Sequence, residues 1–174
     1  FFSIILPSYN RALFLKNTIS SVINQTYTDW ELIIVDDAST DNTCDVVAAF
    51  NDERIKYVKN DINIERSASR NKGIDAALGK YICFLDSDDF WKPNHLQVIY
   101  NYLSENNYPV AMLFTGYSWA FSDDNIQNVS LPEINGQNLV EYIIEYQPST
   151  SAVCLHNSII KNNKFREDIR INED

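Results

Sequence analysis

Asp86-Ser87-Asp88-Asp89 sets three carboxylates within four positions, directly behind the apolar run Tyr81-Ile82-Cys83-Phe84-Leu85. Like charges that close repel unless they are protonated or share a cation. A divalent ion resolves the conflict, and oxygen ligands suit Mg2+ or Mn2+. The spacing of Asp86 and Asp88 lets one carboxylate face a ribose while the other holds a metal on a pyrophosphate. The plainer reading is a solvated acidic turn capping the next helix. Asp36 and Asp37 form a second acidic pair, behind Glu31-Leu32-Ile33-Ile34-Val35. One of them can accept hydrogen bonds from a nucleobase imide or a ribose; the alternative is helix capping. Pro7-Ser8-Tyr9-Asn10 closes a third apolar run, where Tyr9 either stacks on a base or fills a core.

Arg66, Arg70 and Lys72 form a local basic group. With Asn71 they can touch a diphosphate or order the acidic loops. Arg70 is the strongest candidate, since Arg66 and Lys72 serve equally well as surface ion-pair partners. His95 and His156 stand without the neighbours of a closed zinc site and read as surface or supporting residues. No GxxxxGK[ST], GxGxxG or GxSxG pattern occurs, which removes the main support for P-loop, dinucleotide-binding and serine-hydrolase readings.

Positioning these residues requires alternating strands and helices. Phe2–Leu6 reads as a strand stopped by Pro7, and Leu15, Ile19, Val22 and Ile23 recur at helical spacing. Strand 31–35 precedes a helix capped by Ser39 or Thr40 and carrying Val46, Val47 and Phe50. Strand 55–58 precedes a helix from Ser69 to Leu78, stopped by Gly79. Strand 81–85 precedes a helix opened by Pro93, through Leu96, Ile99 and Leu103. Strands over 110–114 and 117–121, a helix over 139–146 and a strand over 151–155 follow, while polar residues 122–137 read as a mobile loop. The pattern predicts one α/β domain with a mostly parallel sheet and helices on both faces. Ligands bind such a sheet beyond the carboxyl ends of its strands, where the three motifs converge.

In order and spacing these residues resemble the family 2 glycosyltransferases of the GT-A fold. The matching pieces are Pro7-Ser-Tyr-Asn10, Ser21-Val22, Gln25-Thr26, Glu31 through Asp41, Ser69-Arg-Asn-Lys-Gly-Ile74, Ala77, Gly79-Lys-Tyr-Ile82, Leu85 through Asp89 and Asn172-Glu-Asp174. The similarity is dense over residues 1–100 and looser beyond. Ser69 and Ala38 each keep a small residue where the family usually has Ala and Gly. The resemblance implies inverting sugar transfer from a nucleotide-diphosphate sugar, usually a UDP-sugar, to an acceptor hydroxyl. It places Pro7, Tyr9, Asn10 and Asp37 around the nucleotide, with Asp37 accepting from uracil. It places Arg70 beside the nucleotide and makes Asp86-Ser87-Asp88 the DxD motif. Asp86 then lies nearer the ribose and Asp88 on the metal, Mn2+ or Mg2+. Asp174 matches the catalytic base. Residues 1–100 are expected to be the nucleotide-binding part of one catalytic domain, 1–174, and residues 101–174 its acceptor side.

The 174 residues carry 14 Lys+Arg and 24 Asp+Glu, a net charge of −10, with 45% hydrophobic and 13% aromatic residues. That is core-forming material rather than a disordered acidic tail. The charge disfavours nucleic-acid or anionic-membrane binding. Cys44, Cys83 and Cys154 show neither disulfide nor zinc spacing and read as buried thiols of a reducing compartment. Asn24-Gln25-Thr26 and Asn128-Val129-Ser130 match the glycosylation pattern, which arises often by chance. A cytoplasmic place follows, with membrane association only through segments outside these residues. The chain opens on a strand without a methionine and is expected to be a fragment. The partners implied are the sugar nucleotide and a glycan or lipid-linked acceptor. A phospho-acceptor receiver domain, a non-catalytic sugar-nucleotide module and a nucleotidyltransferase are the competing classes. In receivers the acidic pair follows the first strand; here it follows the second.

Overall fold

The computed structural model describes residues 1–122, 125–132 and 138–168. Its elements run β1 (Phe2–Ser8), α1 (Ala12–Ile23), β2 (Trp30–Asp36), α2 (Thr43–Ala48), β3 (Ile55–Lys59), α3 (Glu65–Ala76), β4 (Tyr81–Phe84) and α4 (His95–Glu105). β5 (Met112–Phe114), β6 (Tyr117–Ser122), β7 (Asn125–Val129), α5 (Leu139–Tyr146), a 3-10 turn (Thr150–Ala152), β8 (Val153–His156) and α6 (Asn157–Asn162) follow.

The main sheet has the order β3-β2-β1-β4-β8-β5. β1 to β4 pair in parallel, and β8 runs antiparallel to both of its neighbours. Alternate strand residues serve opposite faces. Phe2, Ile4, Leu6, Leu32, Ile34 and Cys83 join Leu15, Ile19 and Val22 of α1 and Leu96, Ile99 and Leu103 of α4. Ile5, Ile33, Val35, Ile82 and Phe84 join Ile74 of α3 and Ile160 of α6 on the other face. Burial on both faces explains why the central strands read as unbroken apolar runs. The α/β reading with helices on both faces holds.

Several local expectations are corrected. Pro7 does not stop β1; it pairs with Val35, and pairing with β4 ends at Ile5↔Phe84. Ile5 accepts from Leu85 N–H while Ser8 accepts from Asp37 N–H, so Pro7's missing donor points toward β4 beyond its paired length. No ladder bond is lost. Ser39 and Thr40 do not cap α2; Asp41 accepts from Thr43 N–H at 3.1 Å instead. α3 starts at Glu65, ahead of the expected Ser69, and ends at Ala76. Gly79 answers to close approach: a Cβ there would lie 2.6 Å from Ser3 N and 2.8 Å from Phe2 C. Part of the expected 122–137 loop is β7, which forms a hairpin with β6. Cys83 and Cys154 are buried opposite one another in β4 and β8, but Cys44 is exposed. Among the described residues no helix is long and apolar enough to cross a membrane.

Candidate active site

Parallel pairing of β1 with β2 sets Ser8 beside Asp36, so the loops behind the two strands leave the sheet together. Asn10 stitches them. Its Oδ1 accepts from Thr40 N–H at 2.9 Å, its own N–H donates to Ser39 Oγ at 2.9 Å, and it holds φ 52°. Asn tolerates this left-handed conformation better than most residues. Asp41 supplies an acceptor for Ala12 N–H at 3.1 Å, at the amino end of α1. Burial opposes the Asp41 charge, but the bonds from Thr43 and Ala12 outweigh it and hold the carboxyl below its ordinary range.

The acidic pair divides its work. Asp36 is fully buried; it accepts from Ser39 N–H at 2.8 Å and from the Tyr57 hydroxyl. Burial and then the bond to Asp36 push the Tyr57 phenol upward. Asp36 is thereby committed to holding β2, β3 and the loop together. Asp37 lies at the sheet edge, where its Oδ1 accepts from Asn60 Nδ2 and Ile64 N–H, both at 2.8 Å. Asn60 is itself gripped by Lys72 Nζ at 2.6 Å, so Lys72 orders the acidic loop through an intermediary.

α3 enters the site with a buried polar face: Ser69, Arg70 and Asn71. Arg70 Nη2 meets Asp86 Oδ1 at 2.5 Å, and its guanidinium lies 5.5 Å from the Phe165 ring centre. Among the described residues its buried Nε has no partner, nor does the buried Ser8 Oγ. Asn71 turns away from the acidic loop. It clamps Phe165 by both main-chain groups, at 2.9 and 3.0 Å, and donates to Glu167 Oε1 at 2.7 Å. It therefore anchors the segment that leads toward Glu173 and Asp174, which lie outside the described residues.

Behind β4, Asp86 is one-third exposed and Asp88 about half. Arg11 Nη2 stands 3.8 Å from Asp88 Oδ2. Ser87 carbonyl accepts from Thr18 Oγ1 at 3.0 Å, and Asp89 Oδ2 accepts from Ser151 Oγ at 2.5 Å. Burial, then the charges of Asp86 and Asp88, raise the Asp89 carboxyl despite that bond. Trp91, which stacks on His95 at 4.3 Å, donates its indole N–H to Ser151 carbonyl. Burial brings His95 down to about 4, so it is neutral at pH 7. Tyr9 is half-exposed at the rim rather than in the core. Arg11, Asn60 and Ser151 escape sequence reading; the hydroxyl run Ser149-Thr150-Ser151 ahead of a buried strand is the available signal for the last.

The described residues contain no group of three or more His, Cys, Asp and Glu side chains that could hold a metal. Mg2+-type sites on phosphate substrates take one or two carboxylates, with waters and phosphate oxygens completing the shell. Accessible Asp88, with Asp86 beside it, fits that donor set.

Residues 3–167 match the model of glycosyl transferase family 2. The chain belongs to that family. This family 2 chain is 42% identical over 123 residues to TuaG of Bacillus subtilis, a glycosyltransferase named for teichuronic acid biosynthesis, covering 70% of this chain and 48% of TuaG. It is 41% identical over 115 residues to WfgD of Escherichia coli, a UDP-Glc:α-D-GlcNAc-diphosphoundecaprenol β-1,3-glucosyltransferase, covering 66% and 45%. The fold matches crystal structures of TarS residues 1–349 from S. aureus, with a TM-score of 0.82 at 24% identity, covering 99% of this chain and 52% of that one. TarS has also been crystallised with UDP-GlcNAc, with a TM-score of 0.78 at 22% identity, covering 99% and 50%. The architecture is the GT-A fold. The chain spans about half the length of TuaG, WfgD and the TarS fragment.

Proposed function

We propose that this chain is the catalytic core of an inverting glycosyltransferase that uses a nucleotide-diphosphate sugar, a UDP-sugar by preference. The observation that carries the reading is the convergence of Asp37, Arg70, Asp86 and Asp88 at the carboxyl ends of adjacent parallel strands β2, β1 and β4. Pro7, Tyr9, Asn10 and Asp37 form the nucleotide end, with Tyr9 at the rim and Asp37 toward the base. Arg70 and Asp86 lie toward the ribose and diphosphate, with Ser87 in the turn between the two acids.

Asp88, with Asp86, would hold Mn2+ or Mg2+, which supplies neutralising charge to the departing diphosphate. Arg11, a cation beside Asp88, faces the same region. Residues 101–174 form the acceptor side. Asp174 takes the proton of the acceptor hydroxyl as that oxygen attacks the anomeric carbon, on the face opposite the leaving group. In line with the names of TuaG and WfgD, the acceptor is a glycan or a lipid-linked glycan of cell-surface polysaccharide. The reaction lies on the cytoplasmic side, with any membrane contact made by segments outside residues 1–174.

Calorimetric titration of UDP, once with excess Mn2+ and once with EDTA, tests the donor site. Binding that needs the metal supports it; a folded sample that binds in neither condition overturns it. For the base, Asp174→Asn in the full-length protein is expected to keep donor affinity and stop transfer. Retained turnover removes Asp174 from that role, and donor binding without product reduces the protein to a sugar-nucleotide module.

A further inference from the structure

We propose that Ser151 is a positioning residue for the metal and diphosphate, setting the shape of the Asp86–Asp89 turn from the acceptor-side half of the chain. The inference rests on the donor-site reading above. Ser151 Oγ accepts from Asp86 N–H at 3.0 Å and donates to Asp89 Oδ2 at 2.5 Å. One hydroxyl has one proton to give and lone pairs to accept with, so this pairing uses both capacities. The two bonds fall on the two ends of the turn. The turn closes on itself through Asp89 N–H to Asp86 carbonyl at 3.0 Å, and Trp91 Nε1 fixes the exit on Ser151 carbonyl at 2.9 Å.

The middle of the turn is held from elsewhere, by Thr18 of α1 on Ser87 carbonyl. Removing the Ser151 hydroxyl therefore leaves the middle pinned and takes one bond from each end, with the bond between the ends still in place. Asp86 N–H, a partly buried donor, loses its acceptor at some cost. Asp89 loses a donor while still facing two nearby carboxylates. The turn then relaxes, and the directions of Asp86 and Asp88 change together. Partners that orient metal-binding carboxylates typically govern metal affinity by about 10- to 100-fold.

The test is a Mn2+ titration of UDP binding in the whole chain, with Ser151→Ala, Asp89→Ala and the double variant, each checked for folding. Ser151→Ala is expected to raise the half-saturating Mn2+ about tenfold. At saturating Mn2+ its UDP affinity returns close to that of the parent, which a general loss of structure would not allow. Asp89→Ala moves the Mn2+ midpoint in the same direction. The double variant does no worse than the larger single change, because the bond that Asp89→Ala removes is one of the two that Ser151→Ala removes. Ser151→Thr, which keeps the hydroxyl, recovers the midpoint. An unmoved midpoint in folded Ser151→Ala, a loss that saturating Mn2+ does not repair, or additive effects in the double variant overturn the proposal. Should Ser151→Ala not fold, Asp89→Ala carries the same test. A parent chain without metal-dependent UDP binding overturns the donor site itself, which separates that failure from this one.

Discussion

The two ends of the parallel strands are built from similar residues and treat them in opposite ways. At the amino end, Glu31 accepts from Ser3 Oγ, Lys56 Nζ and Leu78 N–H at 2.6 to 2.7 Å. Aromatic rings there cover one another: Tyr27 stacks on Tyr100 at 4.5 Å, and Phe1 packs edge-on to Phe2 at 4.8 Å. At the carboxyl end, Arg11 stands 3.8 Å from Asp88, Ser8 Oγ and Arg70 Nε are buried without partners among the described residues, and Tyr9, Leu13 and Phe90 are exposed. One orphan, Trp30 Nε1, does lie at the amino end, where Arg54 covers the ring at 3.7 Å. Buried polar groups are ordinarily satisfied. The amino end closes most of its polar bonds internally, whereas the carboxyl end keeps Asp88 accessible and two buried polar atoms unmatched among the described residues, which fits the donor site proposed above.

The contrast is broken most directly by Asp88→Asn. Its UDP affinity in Mn2+ is expected to fall to the level seen in EDTA, with the melting temperature unchanged; an affinity and a Mn2+ dependence that both persist would sink the metal role. Gly79→Ala should do the reverse. Its Cβ meets β1 backbone, so it is expected to cost about 3 kcal/mol in urea unfolding, while folded protein still binds UDP. An unshifted urea midpoint would show that the amino end yields more readily than its packing implies.

Glu31→Gln is a smaller change, about 1 kcal/mol, since it gives up the charge-assisted bond to a half-exposed lysine. Burial opposes the Glu31 charge, but Lys56, Ser3 and Leu78 outweigh it and hold the carboxyl low. A depressed carboxyl stabilises the fold at neutral pH, and that contribution disappears as pH falls below the ordinary glutamate range and through its lower folded-state value. The variant should therefore show a flatter acid limb in a plot of melting temperature against pH; an identical limb would remove Glu31 from the account. Thiol labelling carries no energetic cost and reads the middle of the sheet. Native protein should react at exposed Cys44, and at Cys83 and Cys154 only after denaturation, since burial pushes the Cys154 thiol well up. Three reactive thiols without denaturant would mean that β4 and β8 part easily.

The central strands were legible because burial on both faces leaves mostly apolar residues in them, with polar ones such as Ser3, Ser8, Glu31 and Asp36 near their ends. The acidic loops were legible because three carboxylates behind a buried strand have few uses. β7 was not: Asn125-Ile126-Gln127-Asn128-Val129 carries little apolar alternation, and Ile126 is exposed. The start of α3 was hidden because its first turn, Glu65-Arg66-Ser67-Ala68, buries no apolar residue and so adds nothing to a hydrophobic pattern; the expected helix began at Ser69, where burial begins. Contacts made across the chain leave no local trace. Asp41 serves the start of α1 from 29 positions away, and Ser151 serves Asp86 from 65. Residue types alone did not separate Asp36 from Asp37, which the structure assigns to different neighbours.

The place of β8 has a consequence for biosynthesis. It lies between β4 and β5 in the sheet, yet it follows both in the chain. Domains begin to form from the amino terminus as the ribosome proceeds. When residue 100 has emerged, β1 to β4 are all present, but the outer edge of β4 has no neighbour, and its row of main-chain groups is the kind that recruits another strand. That edge closes only after Val153–His156 arrive and align against Tyr81–Cys83. A nascent chain thus carries an open, apolar strand edge for roughly fifty further residues of synthesis, and a chain cut at residue 100 would carry it permanently.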